Sequence, residues 1–230
     1  MAAFLPPSFS AMAAKRKPRR LPQREQAVDR FDDIAKDPQA FAQFRQGIGD
    51  ASAPSRVKAA LALRAARAAS VLDVGCGPAV FAQTLADQGL GAISYKGVDT
   101  SAAMIANAPA GADVSVADGD SLPFADQAFD AVVVRHVLEH LPEPLPVLTE
   151  CARVCASLLV IAFSRAPIQG EASLFTDKYL DVPRWAHADS VMDAQLFVDG
   201  FVVTDQEFYT PRRPKSLGPN EAFWLASRTP

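Results

Sequence analysis

From Val71 onward the chain alternates short β-rich runs with helical ones. The runs Val71–Val74, Ser94–Val98, Asp113–Ala117, Phe129–Val134, Leu158–Phe163, Phe201–Tyr209 and Ala222–Ala226 are predicted as strands. Ala131–Val134 and Leu158–Ile161 are continuously apolar, as expected of strands covered by helices on both faces. Between them, Ala79–Gln88, Ala102–Ala108, Glu143–Cys155 and Val191–Asp199 are predicted as crossover helices. Asp99-Thr100-Ser101 offers capping side chains at one helix start, and Gly89 punctuates another helix end. This order predicts an open, mostly parallel sheet with helices on both faces. Two further helices, about Pro38–Gln46 and Pro54–Ala69, precede it. The segment Ser164–Asp189 has no clear period but carries Phe175, Tyr179, Trp185 and His187. A loop that long inside a compact domain is expected to be functional or disordered.

Charge divides the chain unevenly. Residues 1–24 hold Lys15, Arg16, Lys17, Arg19, Arg20 and Arg24 with no acid, so a chain of net charge −3 leaves −9 on the rest. Residues 1–35 are predicted to be a basic, disordered tail and 36–230 the folded domain. A nuclear signal at Lys15–Arg20 and an organelle transit peptide are the functional alternatives for the tail. A domain this acidic is a poor general binder of nucleic acid, whose affinity rests on phosphate neutralisation. No apolar run reaches the eighteen residues of a membrane-spanning helix, so membrane insertion is not expected. Three cysteines are too few for a disulfide framework, which points to a reducing, cytoplasmic compartment. Cys151 and Cys155 lie one helical turn apart beside Leu148 and Ala152, which reads as a buried apolar face. No metal site is expected.

The chemistry concentrates at the end of the first strand, in Val71-Leu72-Asp73-Val74-Gly75-Cys76-Gly77-Pro78-Ala79. Glycines there permit a sharp turn and close approach of a ligand to the main chain. A dinucleotide fingerprint would need glycine where Val80 stands, which disfavours a nicotinamide oxidoreductase. The acid Asp73 before the turn favours a cationic ligand over a pyrophosphate.

The chain resembles the class I S-adenosylmethionine-dependent methyltransferases in four segments, over about residues 70–165. Asp73–Ala79 is similar to their acidic-x-Gly-x-Gly-x-Gly motif, with Ala79 in place of the last glycine. Gly97-Val98-Asp99-Thr100-Ser101 resembles the second-strand motif, Val116–Phe124 the adenine-facing segment, and Phe129–Val134 with His136–Leu141 the fourth strand and its loop. The nearest subgroup is that of ubiquinone and menaquinone biosynthesis. The resemblance implies a Rossmann-like, doubly wound α/β fold whose mostly parallel, seven-stranded sheet has its last strand antiparallel. It also implies S-adenosylmethionine as cofactor and a small-molecule acceptor as partner.

On this resemblance Asp99 binds the ribose hydroxyls of the donor, Asp118 the adenine amine and Gly119 a ring nitrogen. Asp73 lies near the ammonium end. Gly75, Cys76, Gly77, Thr100, Met104 and Arg135 complete the expected donor site, Met104 by packing on adenine or ribose or else in the core. His136 and His140 are the candidates for a general base, at the carboxyl end of the fourth strand. Tyr179, Trp185 and Pro211–Pro219 are expected to border the acceptor pocket. The competing readings are a non-catalytic donor-binding protein or assembly factor, and a protein or RNA methyltransferase. The same donor pocket serves all of them, and fold does not settle the substrate.

Overall fold

The computed structural model describes residues 22–48, 54–163, 168–177, 182–209 and 221–230. Three helices come first: α1 (Pro22–Lys36), α2 (Pro38–Ile48) and α3 (Pro54–Ala65). Each opens on proline, whose fixed φ and missing N–H suit a first helical position. Asp37 caps α2, its Oδ1 accepting from the amides of Gln39 at 2.8 Å and Ala40 at 2.9 Å.

The alternating part then runs β1 (Ser70–Val74), α4 (Val80–Asp87), β2 (Ser94–Asp99), α5 (Ala102–Ile105), β3 (Val114–Val116) and β4 (Phe129–Arg135). A single 3-10 turn, Leu138–His140, leads to α6 (Leu145–Val154) and β5 (Cys155–Phe163). A hairpin of β6 (Ser173–Asp177) and β7 (Val182–Ala186) follows, then α7 (Asp189–Val198), β8 (Phe201–Tyr209) and β9 (Glu221–Arg228). The main sheet has seven strands in the order β3-β2-β1-β4-β5-β9-β8. Strands β1 to β5 pair in parallel, and β9 runs antiparallel to both its neighbours. The doubly wound fold with its last strand antiparallel is therefore present as expected.

Continuous apolar strands are explained by two cores. Because strand side chains alternate between faces, Leu72, Val74, Val132, Val134, Leu159 and Ile161 meet Leu148 and Cys151 of α6 and Met192 of α7. Their neighbours Val71, Ala131, Val133 and Val160 meet Ala59, Ala60 and Leu63 of α3 and Phe81 of α4. Each fully buried valine or leucine contributes about 1.5–3 kcal/mol of apolar burial. Cys151 and Cys155 are both buried in the same core, but not on one helical face: α6 ends at Val154, and Cys155 is already extended as the first residue of β5.

Two further expectations are corrected. The stretch foreseen as tail to residue 35 holds α1, which buries Ala27, Ile34 and Ala35 and packs on α2 and α5. The aperiodic segment 164–189 contains the β6–β7 hairpin. Lys15–Arg20, Tyr179 and Pro211–Pro219 lie outside the described residues. No helix among the described residues is long and apolar enough to cross a membrane.

Candidate active site

In this strand order the chain switches direction between β1 and β4, and open α/β sheets bind ligands in the crevice at the carboxyl ends of the strands there. The turn from β1 to α4 sits at that point. Gly75 and Gly77 have φ of +70° and +54°, conformations that favour glycine. The amides of Gly75 and Cys76 both donate to the Val98 carbonyl, at 2.8 and 3.0 Å, which pins the turn to β2. A Cβ at Gly77 would meet nothing within 4 Å, so this turn presents bare backbone to open space.

Ala79 also has a positive φ, +53°, and is buried. The left-handed conformation costs a non-glycine residue roughly 1–2 kcal/mol. Burial of the methyl, about 0.8 kcal/mol, and the stiffer unfolded chain, about 0.4–1 kcal/mol, offset that. Alanine is therefore tolerated where the motif has glycine.

Asp99 ends β2 facing the turn. Its Oδ2 accepts from the Gly77 amide and its Oδ1 from the Ser101 amide, both at 2.8 Å. Burial pushes its carboxyl above the usual carboxylate range, and these two amides oppose the shift. Capping of α5 falls to Ser101, whose Oγ accepts from the Met104 amide at 3.0 Å. Asp73 is buried one strand away and accepts from the Tyr95 hydroxyl at 2.9 Å. Burial raises its carboxyl from 3.8 to about 6, against the pull of Arg135, Tyr95 and Arg56. Burial likewise pushes the Cys76 thiol up, so it remains protonated.

Asp118 and Gly119 follow β3 in a loop clamped by α6. Glu150 accepts from the Leu122 amide at 2.9 Å, while Arg153 donates to the carbonyls of Leu122 and Phe124. Arg24 of α1 reaches into this loop, pairing with Asp118 and, at 2.5 Å, with Asp120. Thr100, Val116, Ala117 and Asp118 line a hollow together with Arg24, Glu25 and Val28 of α1. Met104 is buried in the cluster of Ile34, Ala35 and Phe44, so its side chain is committed to holding α1 and α2.

The loop after β4 gathers all three histidines of the chain. His136 has a φ of +56° and its amide donates to the Ala162 carbonyl at 2.7 Å. Its Nδ1 lies 3.7 Å from Oε1 of Glu139, a fully buried carboxylate. His140 is buried, 3.3 Å from the Pro183 carbonyl through Nδ1, and burial lowers its pKa. His187 approaches the Leu138 carbonyl through Nε2 at 2.8 Å, with its pKa also lowered by burial. The 3-10 turn is too short for His136 and His140 to share an open helical face. Phe31 of α1 packs edge-on against His140 at 5.1 Å, and Trp185 stacks with His187 at 6.5 Å. Among the described residues no group of three His, Cys, Asp or Glu side chains is arranged to hold a metal ion.

The structure thus gathers Asp73, Gly75, Cys76, Gly77, Asp99 and Thr100 around one turn. Asp118 and Gly119 stand beside them, and His136 and His140 lie in the adjoining loop. Arg135 bridges the two, acting on Asp73 and standing 6.0 Å from the Phe81 ring. Tyr95, Glu139 and Arg24 escaped the sequence reading. The i, i+3 spacing of His136 and Glu139 was available as a signal, whereas nothing local links Arg24 to Asp118, 94 residues away.

Residues 72–159 match the methyltransferase domain family. An uncharacterized methyltransferase of Mycobacterium sp. (strain JLS) is 39% identical over 88 residues, 37% of this chain and 34% of that protein. One of Mycobacterium tuberculosis (strain ATCC 25618 / H37Rv) is 38% identical over 103 residues, 41% of this chain and 39% of that one. The chain spans little more than a third of the length of these curated relatives. Among solved structures, magnesium protoporphyrin IX methyltransferase of Synechocystis PCC 6803 with bound SAM superposes with a TM-score of 0.64 at 18% identity, over 92% of this chain and 99% of that one. The 1,6-didemethyltoxoflavin-N1-methyltransferase of Burkholderia thailandensis gives 0.63 at 18% identity, over 94% and 93%. These likenesses show the fold.

Proposed function

We propose that this protein transfers a methyl group from S-adenosylmethionine to a small-molecule acceptor by direct displacement at the methyl carbon. The observation that carries the reading is the Asp99 carboxylate, held by the Gly77 and Ser101 amides at the mouth of a bare-backbone turn. Its remaining lone pairs suit two adjacent ribose hydroxyls, and the buried Asp73 suits a cationic amino-acid end. Asp118 suits the adenine amine, and Thr100 lines the same hollow. These residues fit the donor, whose sulfonium supplies an already activated methyl group. The match to the methyltransferase domain family over this stretch supports the same chemistry.

The chain's own part is to bind and align. Fixing nucleophile, methyl carbon and sulfur in line supplies several kcal/mol without covalent help from the protein. The sequence resemblance to quinone-biosynthesis enzymes makes hydroxylated aromatic rings the first acceptors to try. The acidic domain disfavours nucleic acid.

Calorimetric titration of S-adenosylmethionine and S-adenosylhomocysteine into the purified chain tests the donor assignment. Saturable binding by both, lost in Asp99→Ala, is expected, followed by label transfer from methyl-labelled donor to an acceptor panel. A folded, cofactor-free protein that binds neither refutes it. Binding without transfer to any acceptor points instead to a non-catalytic donor-binding protein.

A further inference from the structure

A tyrosine hydroxyl is tucked behind the turn from β1 to α4. Tyr95 stands beside Val71 in the pairing of β2 with β1, against the core covered by α3 and α4. Asp73 lies two residues further along β1, on the same face of the sheet as Val71. The Tyr95 hydroxyl reaches it and donates to Oδ2 at 2.9 Å. Gly97, paired directly with Asp73, leaves the room for this contact. Its φ is not positive, so backbone conformation does not call for glycine there. Space does. A Cβ at Gly97 would stand 2.8 Å from the Tyr95 hydroxyl and 2.8 Å from Cys76 Sγ. Phenylalanine would fill the same apolar surroundings, whereas a buried tyrosine hydroxyl needs a partner. The partner here is the acid that precedes the glycine turn.

Four elements bring titratable or charged groups to Asp73: Tyr95 and Asp99 of β2, Arg135 of β4, Arg56 of α3 and Cys76 of the turn. Burial is the largest influence and opposes its charge, Asp99 adds to that, and the two arginines and Tyr95 favour the charge. Burial pushes the Cys76 thiol and the Tyr95 hydroxyl up, so both stay protonated and Tyr95 can donate. A hydrogen bond has direction, so Tyr95 also fixes where one carboxylate oxygen points.

We infer that Tyr95 is a positioning residue of the donor site: it holds the Asp73 carboxylate charged and aimed for the ammonium of the donor's amino-acid end. Gly97 is the position that admits it. The inference rests on the donor reading given above. A hydrogen bond to the charged form favours that form. Without the hydroxyl, a carboxyl already raised to about 6 moves higher and is partly neutral at neutral pH. Adenine and ribose, assigned to Asp118 and Asp99, are left alone. The loss therefore falls on one end of the ligand.

Two ligands separate this role from a merely structural one. S-adenosylhomocysteine carries the amino-acid end, and methylthioadenosine is the same nucleoside without it. In calorimetry, Tyr95→Phe should bind S-adenosylhomocysteine about two- to tenfold more weakly at about pH 7, returning to within about twofold of wild type by about pH 8.5. Its affinity for methylthioadenosine should stay within about twofold of wild type at both pH values. In an Asp73→Asn background, Tyr95→Phe should weaken S-adenosylhomocysteine no further, because the two residues act as one unit. Equal losses for both ligands, no loss for either, or an additive loss in the double variant overturns the inference. A folded wild type that binds neither ligand removes the donor reading itself.

If Tyr95→Phe does not fold, the native chain decides. Fluorotyrosine is incorporated at its three tyrosines, and the Tyr95 signal is assigned by elimination with Tyr179→Phe and Tyr209→Phe. That signal should move as pH passes through about 6, and S-adenosylhomocysteine should suppress the movement where methylthioadenosine does not. A Tyr95 signal indifferent to pH, or equally affected by both ligands, overturns the inference.

Discussion

Val137 fills the space that a side chain at residue 75 would need. A Cβ added to Gly75 would sit 2.2 Å from Val137 Cγ2, deep inside contact distance, and would have to adopt a φ of +70°. The glycine is thus required twice, by backbone conformation and by the loop after β4 that leans on the turn. Gly75→Ala should lose about 1–3 kcal/mol to overpacking and a further 1–2 kcal/mol to strain, read by urea denaturation. The double variant with Val137→Ala should recover the first part and not the second. Equal stability of Gly75→Ala and wild type would show that the turn and the loop move apart freely.

Asp99 accepts two backbone amides at once, from Gly77 and from Ser101. An asparagine has one oxygen and cannot satisfy both. Asp99→Asn should therefore loosen the turn as well as remove a charge from the ribose position. Hydrogen bonds to a charged acceptor contribute about 1.5–3 kcal/mol each. Loss of both ribose contacts weakens donor binding by about two orders of magnitude or more, at 1.4 kcal/mol per tenfold. Calorimetry should find Asp99→Ala below detection and Asp99→Asn weakened at least tenfold. An Asp99→Asn protein binding like wild type would assign the ribose elsewhere.

The sheet and its glycine turn were legible because their signals are local. Val132 and Val133 announce a strand buried on both faces, and Gly75 and Gly77 stand within one short run. What escaped depends on distance or on dilution. The helix α1 does carry an apolar stripe, Ala27, Phe31, Ile34 and Ala35, at helical spacing. Averaged with the proline- and arginine-rich residues before it, that stripe disappeared. The β6–β7 hairpin offered no alternation: half-exposed Leu174 pairs with Trp185, and Pro183 interrupts the strand propensity of its own strand. The settings of His140 and His187 were beyond any sequence pattern. They depend on which carbonyl each ring meets, and Pro183 lies 43 residues from His140.

Arg24 ties the first turn of α1 to Asp118 and Asp120, while Asp32, further along the same helix, accepts from the Ser101 hydroxyl. Arg24→Ala removes the first tether and leaves the second. With charge-assisted bonds at about 1.5–3 kcal/mol, amide exchange near Pro22–Val28 should accelerate about tenfold or more. Exchange in β1, β4 and β5 should not change. Hydrogen exchange followed by mass spectrometry, with and without S-adenosylmethionine, reads both. If the donor's adenine uses Asp118, it competes with the same guanidinium, so donor should also alter exchange at this end of α1 in the wild type. No response to either perturbation would mean that Arg24 does not anchor the helix.

Asp73 makes the stability of the fold depend on pH in a predictable sense. Its carboxyl is raised from 3.8 to about 6, chiefly by burial. Between about pH 4 and pH 6 the folded chain holds a proton there that the unfolded chain has released. Stability therefore falls as pH rises through that window, and the full cost, on the order of 2–3 kcal/mol, is present above it. Asp73→Asn keeps an oxygen to accept from Tyr95 and removes the charge. It should melt higher than wild type at pH 7.5 and level with it at pH 4. The carboxylate is retained, on this argument, for the cationic end of the donor. Donor affinity should then drop in Asp73→Asn at pH 7.5, and in wild type as pH falls through about 6. Calorimetry across pH 5 to 8, beside thermal melts of both proteins, separates the two effects. A variant less stable than wild type at pH 7.5 would show that Asp73 is held as a structural partner of Arg135 and Tyr95.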